Sequence, residues 1–366
     1  MRLGKLVVGF VLPLAGALLV AAVVAPSAAQ ALTRPQVTQR AARYATSLGY
    51  RVGIAVVDSK TGDYYRSGDA DDGFLSASVV KVLIAARLLA EDKLHGDVRR
   101  LAYRMITQSD NDAADQLYPL AGSGTLVPWT AHHFHIRKLG SPAVSDDAWG
   151  STRLVPRALA HLYVKYARNP QVGPWLLNAM HHIHEYSSAG EYQWWGLPSA
   201  TDHAAVKQGW NIELGHANVN TTGFVNNDRY AVVIMSRGPT NTYLTPITTM
   251  LTHVARLLLP GGRFPAPRPA VTQVAPSSVP TQGGWQVVVH GTALTGVTKV
   301  LFGTRPAASF TAVSAGELDA IAPHHSAGTV NLRVVTTHGI SRKTRADVVR
   351  FVPPPVTPGR ANRPMP

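Results

Sequence analysis

The chain has 366 residues, 45% of them hydrophobic and 15% charged, with 35 Lys and Arg against 21 Asp and Glu and no Cys. That length suits two domains of ~100–200 residues each, and the apolar fraction excludes wholesale disorder. The missing Cys excludes a disulfide framework, a Cys-ligated zinc and a thiol nucleophile.

Arg2 and Lys5 precede an apolar run from Leu6 to Val24, and Ala29-Gln30-Ala31 then offers small residues at the two cleavage positions. This is the layout of a secretory signal over residues 1–31, so the protein is expected to be secreted or cell-wall associated. An uncleaved membrane anchor is the alternative, because the run approaches the ~20 residues that span a bilayer.

The next segment, 32–259, mixes helical and strand patterns. Val37–Leu48 fits a helix, and Val52–Val57 fits a buried strand ending at the turn Asp58-Ser59-Lys60-Thr61-Gly62. Val79–Ala90 is apolar almost all round and reads as a central buried helix. Tyr230–Met235 reads as another buried strand, and Leu244–Leu259 as a closing helix. Strands at both ends with helices between predict an α+β domain whose sheet pairs the two termini. Residues 260–268 are rich in Pro and Gly and read as a stiff, extended linker. Beyond it, Trp285–Val289, Lys299–Phe302 and Val330–Val334 are short strands between turns, which predicts an all-β sandwich over 269–352. The Pro-rich tail 353–366 reads as disordered.

Three short motifs carry chemistry. Ser78-Val79-Val80-Lys81 opens the buried helix, with Lys81 one turn beyond Ser78 on the same face. A hydroxyl is a poor nucleophile until a base takes its proton, and apolar neighbours would lower the Lys81 pKa and make it such a base. The ordinary alternative is a capping Ser followed by a Lys that snorkels to water. Ser109-Asp110-Asn111 follows a helix-like run from Val98 to Thr107 and equally suits a turn and helix cap. Lys207-Gln208-Gly209 ends a strand edge before Trp210, where Gly permits close approach of a ligand backbone.

In this order, S-x-x-K, S-D-N and K-x-G resemble the penicillin-recognising serine hydrolases, specifically the class A β-lactamase-like family. The resemblance runs through roughly residues 35–259 and includes Phe74 ahead of Ser78 and the strand Thr222-Gly223-Phe224-Val225. It implies the β-lactamase/transpeptidase-like fold, a three-layer domain of antiparallel sheet and helices. It also implies an acyl-enzyme at Ser78 with β-lactams or peptidoglycan D-Ala-type peptides, without a cofactor or metal. By the same resemblance Lys81 would accept the Ser78 proton and Ser109 would relay it to the leaving nitrogen. Asn111 would hold the substrate amide and Lys207 would attract the substrate carboxylate, with Gln208, Gly209 and Trp210 completing the substrate-binding strand. The backbone N–H groups of Ser78 and Trp210 would form the oxyanion hole.

Two departures stand out. Gln208 occupies the place of the family's Thr, and no Glu occurs between Glu91 and Glu185, where the family's β-lactamases carry the Glu that activates the deacylating water. Asp146 and Asp147 are the only carboxylates in the comparable stretch. Acylation is therefore expected and fast deacylation is not. Metal binding is not expected at His132, His133 and His135 or at His181, His182 and His184, because neither group has helical ligand spacing. Tyr192, Trp194 and Trp195 suit either a cleft wall or a core.

The C-terminal segment resembles an IPT/TIG domain, an immunoglobulin-like sandwich, through Gly283-Gly284, Gly291-Thr292, Phe302-Gly303 and Gly328-Thr329-Val330. Residues 261–366 supply +8 of the formal charge of +14. With no nucleic-acid motif present, that charge suits anionic cell-wall polymers or membrane surfaces as partners of a monomer, and equally a merely solubilising surface. The rival reading is a catalytically weak or inactive cell-wall-binding protein that uses the cleft and the TIG module.

Overall fold

The computed structural model describes residues 32–145, 148–213, 215–240 and 243–354. The signal segment 1–31, Asp146, Asp147 and the tail from residue 355 lie outside the described residues. Among the described residues no helix is long and apolar enough to cross a membrane.

The first domain begins with helix α1 (Arg34–Ser47), whose cap at Thr33 is a reciprocal capping box with Gln36. Strand β1 (Arg51–Asp58) follows, then β2 (Tyr64–Gly68), the two-residue β3 (Phe74–Leu75) and α2 (Val80–Ala90). Helices α3 (Gly96–Thr107), α4 (Asn111–Leu120) and α5 (Leu126–His133) complete one helical lobe. Short strands β4 (Gly140–Ser141) and β5 (Arg153–Leu154) lead to α6 (Pro156–Arg168) and α7 (Gly173–His181). Strands β6 (Ala205–Glu213), β7 (His216–Val225) and β8 (Tyr230–Thr240) and helix α8 (Leu244–Leu258) close the domain.

The main sheet runs β2-β1-β8-β7-β6, and β1 pairs antiparallel with β8, joining the two ends of the domain as the sequence pattern predicts. Along β1 the two-residue period sorts side chains between two cores. Ala55 and Val57 face the lobe built on α2, whereas Val52, Ile54 and Val56 face α1 and α8. Burial on both faces explains why β1 reads as a continuous apolar run instead of an alternating one. Helix α2 lies inside the helical lobe, with Val82, Leu83, Ile84, Ala85 and Ala86 fully buried.

The segment read as linker from residue 260 belongs in part to this domain. Phe264 is buried in the core of the α1/α8 face, and its backbone N–H and C=O both pair with the Asn226 amide at 3.1 Å. Arg34 donates to Pro265 O at 2.8 Å, to the Tyr230 hydroxyl, and to Asp58 Oδ2 at 3.4 Å. A buried guanidinium thus ties the domain exit to its first strand, and Pro and Gly composition alone does not reveal this.

Beyond it, one sheet takes Ser309–Ser314, Glu317–Ile321, Gln286–Thr292 and Ala270–Ala275 in that order. A second runs Ser278–Pro280, Val348–Val352, Gly328–Thr336, Val297–Phe302 and Arg305–Pro306. Val287, Val289, Phe302, Leu318, Leu332 and Phe351 fill the space between them. Two sheets closed over one core make this domain a β-sandwich of immunoglobulin-like kind.

Candidate active site

Ser78 sits in a tight 3-10 turn, Ala77–Val79, that feeds directly into α2. Ala77 holds φ at 43°, a left-handed conformation that costs an L-residue ~1 kcal/mol or more, so the surroundings must impose it. They do so from two sides. Asn220 Nδ2 donates to Leu75 O at 2.9 Å and Ser76 O at 3.1 Å, and Ser76 N donates to Thr152 O at 2.7 Å. Gly209 on β6 presses against the same turn: a Cβ there would lie 2.6 Å from Ser76 O and 3.0 Å from Val79 N. The glycine of K-x-G thus makes room for the backbone of the Ser78 turn, where the sequence suggested room for a ligand.

Lys81 is fully buried, and its Nζ donates to Ser109 O at 2.6 Å and to Asn111 Oδ1 at 2.7 Å. Burial brings its pKa down to about 7, against the upward pull of Asp110, Asp115 and Glu191. Ser109, like Ala77, is held in a left-handed conformation, with φ at 53°. Its carbonyl is held by Lys81 and its Oγ by Lys207 Nζ at 2.8 Å. Between Ser109 and Asn111, Asp110 caps α4, its Oδ1 accepting from Ala113 N at 3.0 Å and its Oδ2 from Arg104 Nε at 2.8 Å. The capping reading of S-D-N therefore holds for Asp110, while Ser109 and Asn111 turn to the lysines.

Lys207 is also fully buried, and burial together with the nearby Lys81 holds its pKa well below the ordinary lysine value. Its amine also donates to Gln208 O at 2.8 Å. Gln208 does not offer its amide to the cleft: Nε2 donates to Gln193 O at 3.0 Å and Trp195 O at 2.5 Å. Gln208 Oε1 is buried without a donor. The longer side chain that replaces the expected Thr thus braces a neighbouring loop. Trp210 lines the cleft and meets Trp195 edge-on, with ring centres 6.2 Å apart.

These elements surround a cavity of about 180 Å³ bordered by Ser78, Ser109, Asn111, Trp149, Glu191 and Trp210. It brings together Ser78, Ser109, Asn111 and Trp210, with Lys81, Lys207 and Gly209 directly behind them. Where the sequence lacks a loop Glu, Trp149 stands beside Lys81, with Nζ 4.6 Å from the ring centre. The indole N–H is fixed by Asp115 Oδ1 at 2.7 Å. Sequence reasoning missed Trp149 and Glu191. Trp149 was legible only as a loop residue, and Glu191 lies in a hairpin, Tyr186 to Tyr192, with no motif to mark it.

The histidines serve elsewhere. His133 stacks on Trp129 at 4.5 Å, His181 meets Asp228 at 2.9 Å, and His182 bonds Asn178 O at 2.7 Å. Among the described residues no three His, Cys, Asp or Glu side chains converge to hold a metal ion. Trp195 is buried and belongs to the core, whereas Tyr192 and Trp194 are exposed.

Comparison with known proteins agrees with this architecture. A beta-lactamase from Chitinophaga pinensis superposes with a TM-score of 0.51 at 16% identity, over 61% of this chain and 97% of that one. A class A beta-lactamase from Bacteroides cellulosilyticus superposes with a TM-score of 0.50 at 14% identity, over 62% and 97%. Residues 269–359 match the family model of the IPT/TIG domain. No curated protein matches the sequence. The first domain has the class A β-lactamase fold, and an IPT/TIG sandwich follows it.

Proposed function

We propose that this protein is an exported serine hydrolase that forms an acyl-enzyme at Ser78, and that the acyl-enzyme is slow to hydrolyse. The carrying observation is the buried Lys81 amine, brought to about pH 7 beside the nucleophile's turn and held by Ser109 and Asn111. In its neutral form it takes the Ser78 proton as Oγ attacks the carbonyl of a β-lactam or a D-Ala-type peptide. The backbone N–H groups of Ser78 and Trp210 receive the oxyanion. Ser109, bridged to Lys207, returns the proton to the leaving nitrogen as the acyl bond breaks.

Hydrolysis of the ester needs a base for water. The position beside Lys81 holds an indole, which accepts no proton, in place of a carboxylate. That favours a peptide-directed or penicillin-binding enzyme over an efficient β-lactamase. The basic C-terminal sandwich would keep the enzyme near anionic wall polymers.

Intact-mass measurement after exposure to saturating benzylpenicillin, and separately to an N-acylglycyl thioester, tests this reading. A stable adduct that disappears in Ser78→Ala is expected from at least one of them. No adduct with either would overturn it.

A further inference from the structure

The expected cradle for a substrate carboxylate is taken apart in this cleft. Lys207 spends its amine on Ser109 Oγ and Gln208 O, and the Gln208 amide is engaged by two backbone carbonyls. Among the described residues no arginine lines the cavity. A carboxylate does: Glu191, exposed, accepts from the Ser187 hydroxyl and forms no ion pair among the described residues.

The side of the cleft on which Glu191 stands follows from the backbone. The hairpin carrying it is pinned to the strand of chain before Ser109, with His184 N donating to Thr107 O at 2.9 Å and Ser188 N to Gln108 O at 2.8 Å. Glu191 therefore flanks Ser109, the group that serves the leaving side of the reaction. Asn211, which also lines the cavity, donates its amide N–H to Glu213 Oε2 at 3.0 Å and keeps a buried Oδ1 with no donor. The wall thus presents an exposed negative charge, complementary to a cation.

We infer that the leaving-group side of this cleft selects acyl donors whose leaving group carries a cationic ammonium group and disfavours those bearing a carboxylate, with Glu191 as the specificity-determining residue. The inference rests on the acyl-serine reading of Ser78 and names the substrate class of that same site. In the step concerned the Ser78 Oγ–C bond forms, the bond from the acyl carbon to the leaving atom breaks, and the Ser78 proton departs on the leaving group.

Two N-benzoylglycyl thioesters of opposite leaving-group charge test it on the full chain, one of thiocholine and one of 3-mercaptopropionate, each enzymatic rate being divided by that ester's own rate of reaction with a free thiol. Thiol release and the Ser78 adduct are followed together. The thiocholine ester is expected to acylate about tenfold faster, with the preference shrinking in molar salt, where the screening length is ~3 Å. Glu191→Gln keeps an acceptor for Ser187 and removes the charge, so it should bring the two rates within about twofold. A faster mercaptopropionate ester, or a ratio unchanged in Glu191→Gln, would overturn the inference. If neither ester acylates Ser78, the acyl-serine reading itself falls, and the inference with it.

Discussion

Lys81 Nζ lies 4.6 Å from the centre of the Trp149 ring, and no carboxylate among the described residues pairs with it. An indole face attracts a cation only weakly compared with a carboxylate, so burial dominates and the amine is driven towards neutrality. Replacing the ring with an acid should reverse this balance. Trp149→Glu is expected to raise the midpoint of the acylation pH profile by about one unit or more, whereas Trp149→Phe leaves it near 7. An unmoved midpoint in Trp149→Glu would show that Lys81 is not the group whose ionisation governs acylation.

Lys81 also links stability to pH. Its folded pKa, about 7, lies below the ordinary value of 10.5, so between these limits the unfolded chain binds more protons than the folded one. Stability then rises with pH across that window and is lost as pH falls towards 7. Lys207, shifted in the same direction, acts in the same sense. Lys81→Met should abolish acylation, flatten part of this dependence and stabilise the fold at pH 7 by about 1–2 kcal/mol, because a desolvated amine is removed. Denaturant melts at pH 7 and pH 10 measure both effects. A mutant with the parent's full pH dependence would contradict the assignment.

Gly209 and the Ser76–Val79 turn are in near contact, and the consequence is specific. A methyl group there would intrude on Ser76 O at 2.6 Å and Val79 Cγ2 at 3.0 Å. Gly209→Ala is expected to cost about 1–3 kcal/mol of stability and to slow Ser78 acylation far more than it alters secondary structure. Thermal melts, circular dichroism and adduct kinetics on one preparation separate the two effects. Parent-like stability and rate would refute the close approach.

Arg34 anchors the exit of the first domain to Asp58, which Arg229 also grips at 2.8 Å. Burial pushes the Asp58 carboxyl up, but the Arg229 hydrogen bond, the Lys60 N–H and the two guanidinium charges bring it below the usual value. Arg34→Met should cost about 3 kcal/mol and expose the Pro265–Pro269 segment to proteolysis. Protection of that segment equal to the parent's would argue against the tether.

Motifs that act through the chain's local period were the legible ones. S-x-x-K sits on the first turn of a helix whose apolar surround the sequence displays, and β1 announces its double burial by an unbroken apolar run. Asp110 shows the limit of local reading, since one tripeptide supplies both a helix cap and two partners of the buried lysines. Trp149 over Lys81 joins residues 68 positions apart, and Glu191 beside Ser109 joins residues 82 apart, so neither had a local signature. Phe264 escaped notice because its Pro- and Gly-rich neighbours resemble a linker, although its ring fills a core.

The proposed site acylates readily and deacylates slowly, having among the described residues no base for water beside Lys81. Rapid mixing of the protein with an N-acylglycyl thioester, with thiol release followed from the first turnover, separates these two steps. A burst of one thiol per protein is expected, matched by one acyl group on Ser78, then turnover at least ~100-fold slower for want of a base. Linear release without a burst, or a burst with no acyl group on Ser78, would contradict it.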